Sequence, residues 1–245
     1  MGKITDAVKH LVILNVIFFI ASSILGLDLS NWLALYFPKN DHFGFWQFVS
    51  HMFMHGGFTH ILFNMYALWA FGSPLEQMWG RNKFIFFYFS AGLGAGLIYT
   101  AVNYFQFNNI YNELINLGIQ NSEIQNLLET GRYNTDILQN ISETRLVDLY
   151  QIYNTPAVGA SGAIYGVLVA FGMSFPNAKL ALIFLPVPIA AKYFIPVLIG
   201  LDLFSGLTGF SLFGGGIAHF AHVGGAIIGF IMMKYWEKNQ FKRWN

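Results

Sequence analysis

Apolar residues in this chain neither alternate nor recur at helical spacing against a polar face; they gather in uninterrupted blocks. A helix needs about 20 such residues to cross a hydrocarbon core about 30 Å thick. The first block, 11–27, reads LVILNVIFFIASSILGL behind Lys3, Lys9 and His10. Those flanks are also those of a secretory signal, but more blocks follow, so it is read as a retained first span. The second block covers about 57–73 and the third about 84–104, with Gly92, Gly94 and Gly96 at close-packing positions. The fourth covers about 156–175, the fifth about 193–208 and the sixth about 217–235. The run 182–188 carries Pro186 and Pro188 and is too short to span, so it is expected to be a loop at the interface. The pattern predicts an all-α polytopic membrane protein, a single domain over 1–245 with six transmembrane helices.

Two polar stretches separate these blocks. The outer loop 28–55 is rich in Trp and Phe (Trp32, Phe37, Phe43, Phe45, Trp46, Phe48), as in a segment lying at the lipid–water boundary. Residues 105–155 form a longer insertion rich in Asn, Gln, Glu and Ile. Within it Leu114, Leu117, Ile124, Leu127 and Leu128 are spaced to share a helical face, and a second short helix is expected over 136–150. The insertion therefore predicts a small helical cap on the membrane domain.

Composition agrees with the pattern: 55% of the residues are hydrophobic, 10% are charged, and mean hydropathy is +0.49. Soluble domains carry about 25% charged residues. A net charge of +1 leaves no basic surface for nucleic acid. The absence of cysteine excludes disulfides, thiolate metal sites and a cysteine nucleophile. The layout of the charges is more informative than their number. Six spans put both termini and the 74–83 and 176–192 loops on one side, with ten of the thirteen basic residues. The other side holds only Lys39, Arg132 and Arg145, and nine of the twelve acidic residues if Asp202 belongs to the outer end of the fifth span. Basic residues favour the cytoplasm, so both termini are expected there. With no targeting segment evident and Asn, Ile, Phe and Lys abundant, a bacterial plasma membrane is expected rather than an organelle.

Polar residues inside a span are costly and mark function or packing. His60 and Asn64 lie four apart on one face of the second span, Ser161 stands between Gly159 and Gly162 at the start of the fourth, and His222 opens the sixth before Gly225 and Gly229. Singly, each has a structural explanation: a small-residue contact, a satisfied histidine, an interhelical amide. All three spans begin on the outer face, however, so the four residues share one shallow layer. Imidazole can activate a serine hydroxyl near neutral pH. Asn64, His60 and the Ser161 backbone N–H can stabilise an oxyanion, and Gly225 and Gly229 allow the sixth span to approach the fourth. No carboxylate lies at that depth on these three spans and Glu76 is at the far end of the second, so the expected chemistry is that of a Ser–His dyad.

These residues resemble the rhomboid family of intramembrane serine proteases. Its GxSG motif appears as Gly159-Ala160-Ser161-Gly162, its AHxxGxxxG motif as Ala221-His222 through Gly225 and Gly229, and its HxxxN element as His60 to Asn64. The resemblance also extends to Glu76 and covers about 10–236. It implies that Ser161 is the nucleophile and His222 the general base and acid, with His60, Asn64 and the Ser161 N–H as oxyanion hole. It further implies transmembrane protein substrates cut near the outer membrane edge, a fifth span acting as lateral gate, and no metal or cofactor. Partners are then substrate and membrane lipid. Two features depart from the family's usual pattern. Trp46-Gln47 replaces its common Trp-Arg pair, which puts the anchoring of the outer loop in question, and the 105–155 insertion is unusually long. Two other readings are weighed. A catalytically silent relative that binds membrane clients would be expected to lack Ser161 or His222; a transporter would show inverted repeats and polar residues at mid-membrane depth.

Overall fold

The computed structural model describes residues 2–182, 185–210 and 218–240. Helices dominate, and the apolar blocks become the spans. The first is Asp6–Ile24 and the third Arg81–Asn116; the fourth is Ser161–Ser174, the fifth Ala191–Thr208 and the sixth His219–Gln240. The predicted start of the sixth, at 217, lies outside the described residues. The second span is helical over 58–79 but contains a π turn at Leu68–Gly72. Pro74 follows directly: it has no N–H for the Ala70 carbonyl and its ring crowds that turn, so the ladder loosens just before it.

Among the described residues three helices are long and apolar enough to cross a bilayer unaided: the first, third and fifth spans. The second is divided by its π turn, and the sixth carries charge in its last turns. The fourth, at 14 residues, is about 21 Å long, some 9 Å short of the hydrocarbon thickness. It is apolar on every side and therefore sits at the centre. Ala163, Val167 and Ala170 are buried against Phe84, Phe87, Tyr88 and Ala91 of the third span. Outward-facing residues such as Ile17, Phe86, Val197, Leu207 and Ile231 are exposed and apolar, the surface that lipid covers.

The interface loop between the fourth and fifth spans contains a feature the hydropathy did not predict. It is a two-stranded antiparallel hairpin, β1 (Lys179–Leu182) with β2 (Leu185–Ala190), pairing Lys179 with Ala190 and Leu182 with Leu185. Pro186 and Pro188 are tolerated because a two-stranded ribbon leaves one edge of each strand unpaired.

Residues 105–155 are largely helical, and they depart from expectation in three details. The third span continues unbroken to Asn116, 36 residues in all, and so rises beyond the membrane to become the cap's first wall. Leu117 is half exposed and does not join the apolar face: Gly118, at φ +82°, ends the helix there, and a separate helix restarts at Asn121–Thr130. The helix expected over 136–150 is instead a turn at Thr135–Gln139 followed by a helix at Glu143–Asn154. Leu114, Ile124, Leu127 and Leu128 are buried with Leu146, Leu149 and Phe37, so the cap has its own small core, closed below by the outer loop.

That outer loop is anchored despite lacking the arginine. Gln47 is fully buried; its amide donates to the carbonyls of His42 (2.7 Å) and Trp32 (3.3 Å), and its Oε1 accepts from the Tyr36 N–H (3.1 Å). The Gln47 amide thus bridges the loop, together with Trp46 Nε1, which donates to the Trp32 carbonyl (2.7 Å), and the Ser50 hydroxyl, which donates to the Leu33 carbonyl (2.8 Å). At the opposite face Glu76, buried, accepts from the Ala7 N–H (2.8 Å), the Val8 N–H (3.0 Å) and the Thr5 hydroxyl. One carboxylate from the second span thereby caps the first helix at its positive end.

Candidate active site

The loop before the fourth span is fixed at two points. Ala157 and Leu35 exchange backbone hydrogen bonds of 2.9 Å, and the Gly159 N–H donates to the His51 carbonyl at 2.9 Å. The outer loop therefore sets where the fourth helix starts, and it starts at Ser161. Gly159 has φ +120°, and a Cβ there would lie 2.8 Å from the His60 ring, so glycine is needed both for the backbone and for the neighbour. Ser161, the first residue of that helix, stands at the wall of an open groove of about 2100 Å³.

Ser161 Oγ is 2.8 Å from His222 Nε2. Glycines make that distance possible: a Cβ on Gly225 would fall 1.8 Å from the Gly162 carbonyl oxygen, and one on Gly229 would fall 2.7 Å from the Gly166 Cα. Backbone meets backbone along this seam of the fourth and sixth spans. One turn below Ser161, Tyr165 stacks on the His222 ring, with centroids 4.3 Å apart and planes within 11°. His60 and Asn64 line the same cavity as Ser161 and His222. Asn64 is buried, and its Nδ2 has no hydrogen-bond partner. His60 Nδ1 accepts a long contact, 3.4 Å, from the Gly56 N–H. All four residues singled out in the sequence are therefore gathered in one site.

The structure also brings in residues that were not singled out. Asp202, buried on the fifth span, places Oδ1 3.0 Å from His222 Nδ1 and 2.6 Å from His219 Nδ1, while its Oδ2 accepts from the Tyr165 hydroxyl. The expectation of a site without a carboxylate is corrected. That expectation rests on the second, fourth and sixth spans, and the carboxylate comes from the fifth. Signals were present in the sequence. An acidic residue in an apolar helix is itself conspicuous, Tyr165 is four residues from Ser161, and His219 is three from His222.

Asp202, His219 and His222 have ligand atoms within 4.8 Å of one another, a donor set of the kind that holds a metal ion. Their 2.6 and 3.0 Å separations fall in the range of N···O hydrogen bonds.

Two more histidines surround the site from the outer loop. His51 donates from Nδ1 to the Gln47 carbonyl (2.7 Å), and burial lowers its pKa to about 4. His55 packs edge-on against His60 with centroids 5.0 Å apart; burial first, then the neighbouring His60, lower its pKa to about 4. Both are neutral near pH 7.

The chain is similar to known proteins over most of its length. Residues 42–109 and 134–238 match the family model described as Rhomboid domain, and the gap between them falls inside the cap. "Presenilin-associated rhomboid-like protein, mitochondrial" of Homo sapiens is 29% identical over 184 residues, which are 75% of this chain and 36% of that protein. "Rhomboid protein 1, mitochondrial" of Saccharomyces cerevisiae is 27% identical over 186 residues, 76% of this chain and 40% of its own. "Rhomboid protease AarA" of Providencia stuartii is 26% identical over 197 residues, 75% of this chain and 53% of its own. The chain thus spans little more than a third of the length of the human relative and about half of the bacterial one. With the family model covering most of its length, the chain belongs to the rhomboid family.

Proposed function

We propose that the protein is an intramembrane serine endopeptidase acting on transmembrane proteins near the outer membrane face. The observation that carries this reading is the 2.8 Å contact between Ser161 Oγ and His222 Nε2 at the wall of the groove. In this reaction Oγ attacks the scissile carbonyl carbon while His222 Nε2 takes the hydroxyl proton. The oxyanion is met by the N–H of Ser161, the first residue of its helix, by the unpaired Asn64 Nδ2 and by His60. His222 then passes its proton to the leaving amine as the C–N bond breaks. A water deprotonated by His222 hydrolyses the acyl-enzyme and restores Ser161. The cavity is lined by Phe63 and Phe71 of the second span and by Phe194 and Leu198 of the fifth. An apolar segment can reach Ser161 between those spans.

We propose further that both termini are cytoplasmic, on the asymmetry of the basic residues, and that the membrane is a bacterial plasma membrane, on the abundance of Asn, Ile, Phe and Lys. A reporter fused after Asn245 checks this, since a signal from the outer side would contradict it. The decisive assay uses protein in liposomes with a generic transmembrane substrate. Wild type is expected to cleave it, and Ser161→Ala and His222→Ala are expected not to. Cleavage that survives Ser161→Ala would overturn the assignment.

A further inference from the structure

We propose that Asp202 is a positioning residue for His222, so that the site works as a Ser–His–Asp relay assembled from the fourth, sixth and fifth spans. The proposal rests on the protease reading and concerns what orients the base.

An ionised carboxylate only accepts hydrogen bonds. Facing Asp202 Oδ1 at 3.0 Å, His222 Nδ1 must therefore carry the proton, which leaves Nε2 as a bare acceptor facing Ser161 Oγ at 2.8 Å. This is the tautomer that general-base catalysis requires. The carboxylate also lies beside the ring that becomes positive when it takes the serine proton. Asp202 is itself held from two further sides, by His219 Nδ1 at 2.6 Å on the same oxygen and by the Tyr165 hydroxyl on the other. Tyr165 closes the arrangement by stacking on His222. Ring plane, tautomer and charge of the base are thus all set by contacts among four side chains, one of them on the fifth span.

That origin has a consequence. Ser161 and His222 are held together by glycine seams whatever the fifth span does, but the tautomer of His222 is fixed only while the fifth span is seated. Movement of that helix to admit a substrate would separate Asp202 from the base, and reseating would restore it.

The test compares Asp202→Asn, Asp202→Ala and Asp202→Glu with Ile195→Ala, in the full chain in liposomes. Ile195 is buried on the same helix against the fourth span, so its truncation reports what loosening alone does. In Asp202→Asn the amide oxygen can still face the histidines with its NH₂ toward Tyr165. Proton placement then survives while the charge is lost, and kcat is expected to fall roughly 100-fold. Asp202→Ala loses both, and kcat is expected to fall on the order of 10⁴-fold, as when a triad histidine loses its tautomer control. Asp202→Glu is expected to recover about tenfold of that loss by restoring the charge one methylene away. KM is expected to stay within about threefold throughout, and the rate of Ser161 labelling by a fluorophosphonate, which needs no substrate, is expected to fall in step with kcat.

A kcat for Asp202→Asn within about threefold of wild type overturns the proposal. So does a loss lying wholly in KM, or one matched by Ile195→Ala at the same drop in Tm; in each case the protease reading stands. If wild type neither cleaves nor labels, the protease reading fails and the role of Asp202 falls with it.

Discussion

A methyl group on Gly225 would lie 1.8 Å from the carbonyl oxygen of Gly162. No rotamer relieves that contact, because the oxygen belongs to the backbone and the Cβ position is fixed by it. The fourth and sixth spans would have to separate by more than an ångström, and Ser161 and His222, one on each, would separate with them.

Gly225→Ala is therefore expected to cost roughly 100-fold in kcat, the scale of a 1 Å misplacement of reacting groups. Gly200, on the fifth span with open space around its Cβ position, is the control. Gly200→Ala should leave the rate within about twofold, and helix propensity favours the change by about 1 kcal/mol. Equal activity in the two variants would show that the seam does not set the Ser–His distance.

At the opposite membrane face, Glu76 accepts three hydrogen bonds from the start of the first span, two of them from backbone N–H groups. Glu76→Ala leaves the Ala7 and Val8 N–H groups buried without acceptors. A loss of about 2–3 kcal/mol is expected, read as a lower Tm in detergent. The kcat of the folded protein should be unchanged, since the site lies beneath the other face. A Tm within a degree of wild type would contradict this role.

How much of this could be read from the sequence differs between elements for physical reasons. Hydropathy reports burial in lipid, so it located the spans, and spacing within helices brought His60 near Asn64. Membrane topology put Ser161 and His222 in one layer. The extent of the third helix was missed because polar residues such as Asn108 and Asn112 end the apolar signal without ending the hydrogen-bond ladder. The hairpin 179–190 was missed because a ribbon with Pro186 and Pro188 lacks a strand's usual composition. Asp202 was visible as a residue but not as a partner. Its contact with His222 depends on how the fifth span rotates and packs, which no local pattern specifies. Gln47 is the reverse case, judged by the arginine it replaces when its own amide makes the bonds.

Gln47 gives a prediction of its own. The Tyr36 N–H needs an acceptor, which Gln47 Oε1 provides. Arginine has donors only, so Gln47→Arg, although it restores the pair common in the family, is expected to destabilise the outer loop by about 2 kcal/mol or more. Gln47→Glu keeps acceptors but loses both donated bonds to the His42 and Trp32 carbonyls. Limited proteolysis of the outer loop should show both variants cut faster than wild type. Protection equal to wild type in Gln47→Arg would mean the loop repacks around the guanidinium.

The same loop contains a pH response with a definite sign. His51 and His55 have pKa values lowered by burial to about 4, whereas in an opened, hydrated loop each returns toward 6.5. Above pH 6.5 both states are neutral and the closed loop has its full stability. As pH falls from 6.5 toward 4 the open state takes up protons first, so stability falls with it. Each histidine contributes at most about 3 kcal/mol across that window, at 1.36 kcal/mol per pKa unit. Because the His51 carbonyl holds the Gly159 N–H, opening the loop also releases the turn that presents Ser161. Thermal unfolding in detergent between pH 7.5 and 4.5 should therefore show Tm falling on the acid side, with a shallower slope in His51→Gln, which keeps a donor for the Gln47 carbonyl but does not titrate. A Tm that is flat over this range, or an equal slope in the variant, would show that His51 is not the group being protonated.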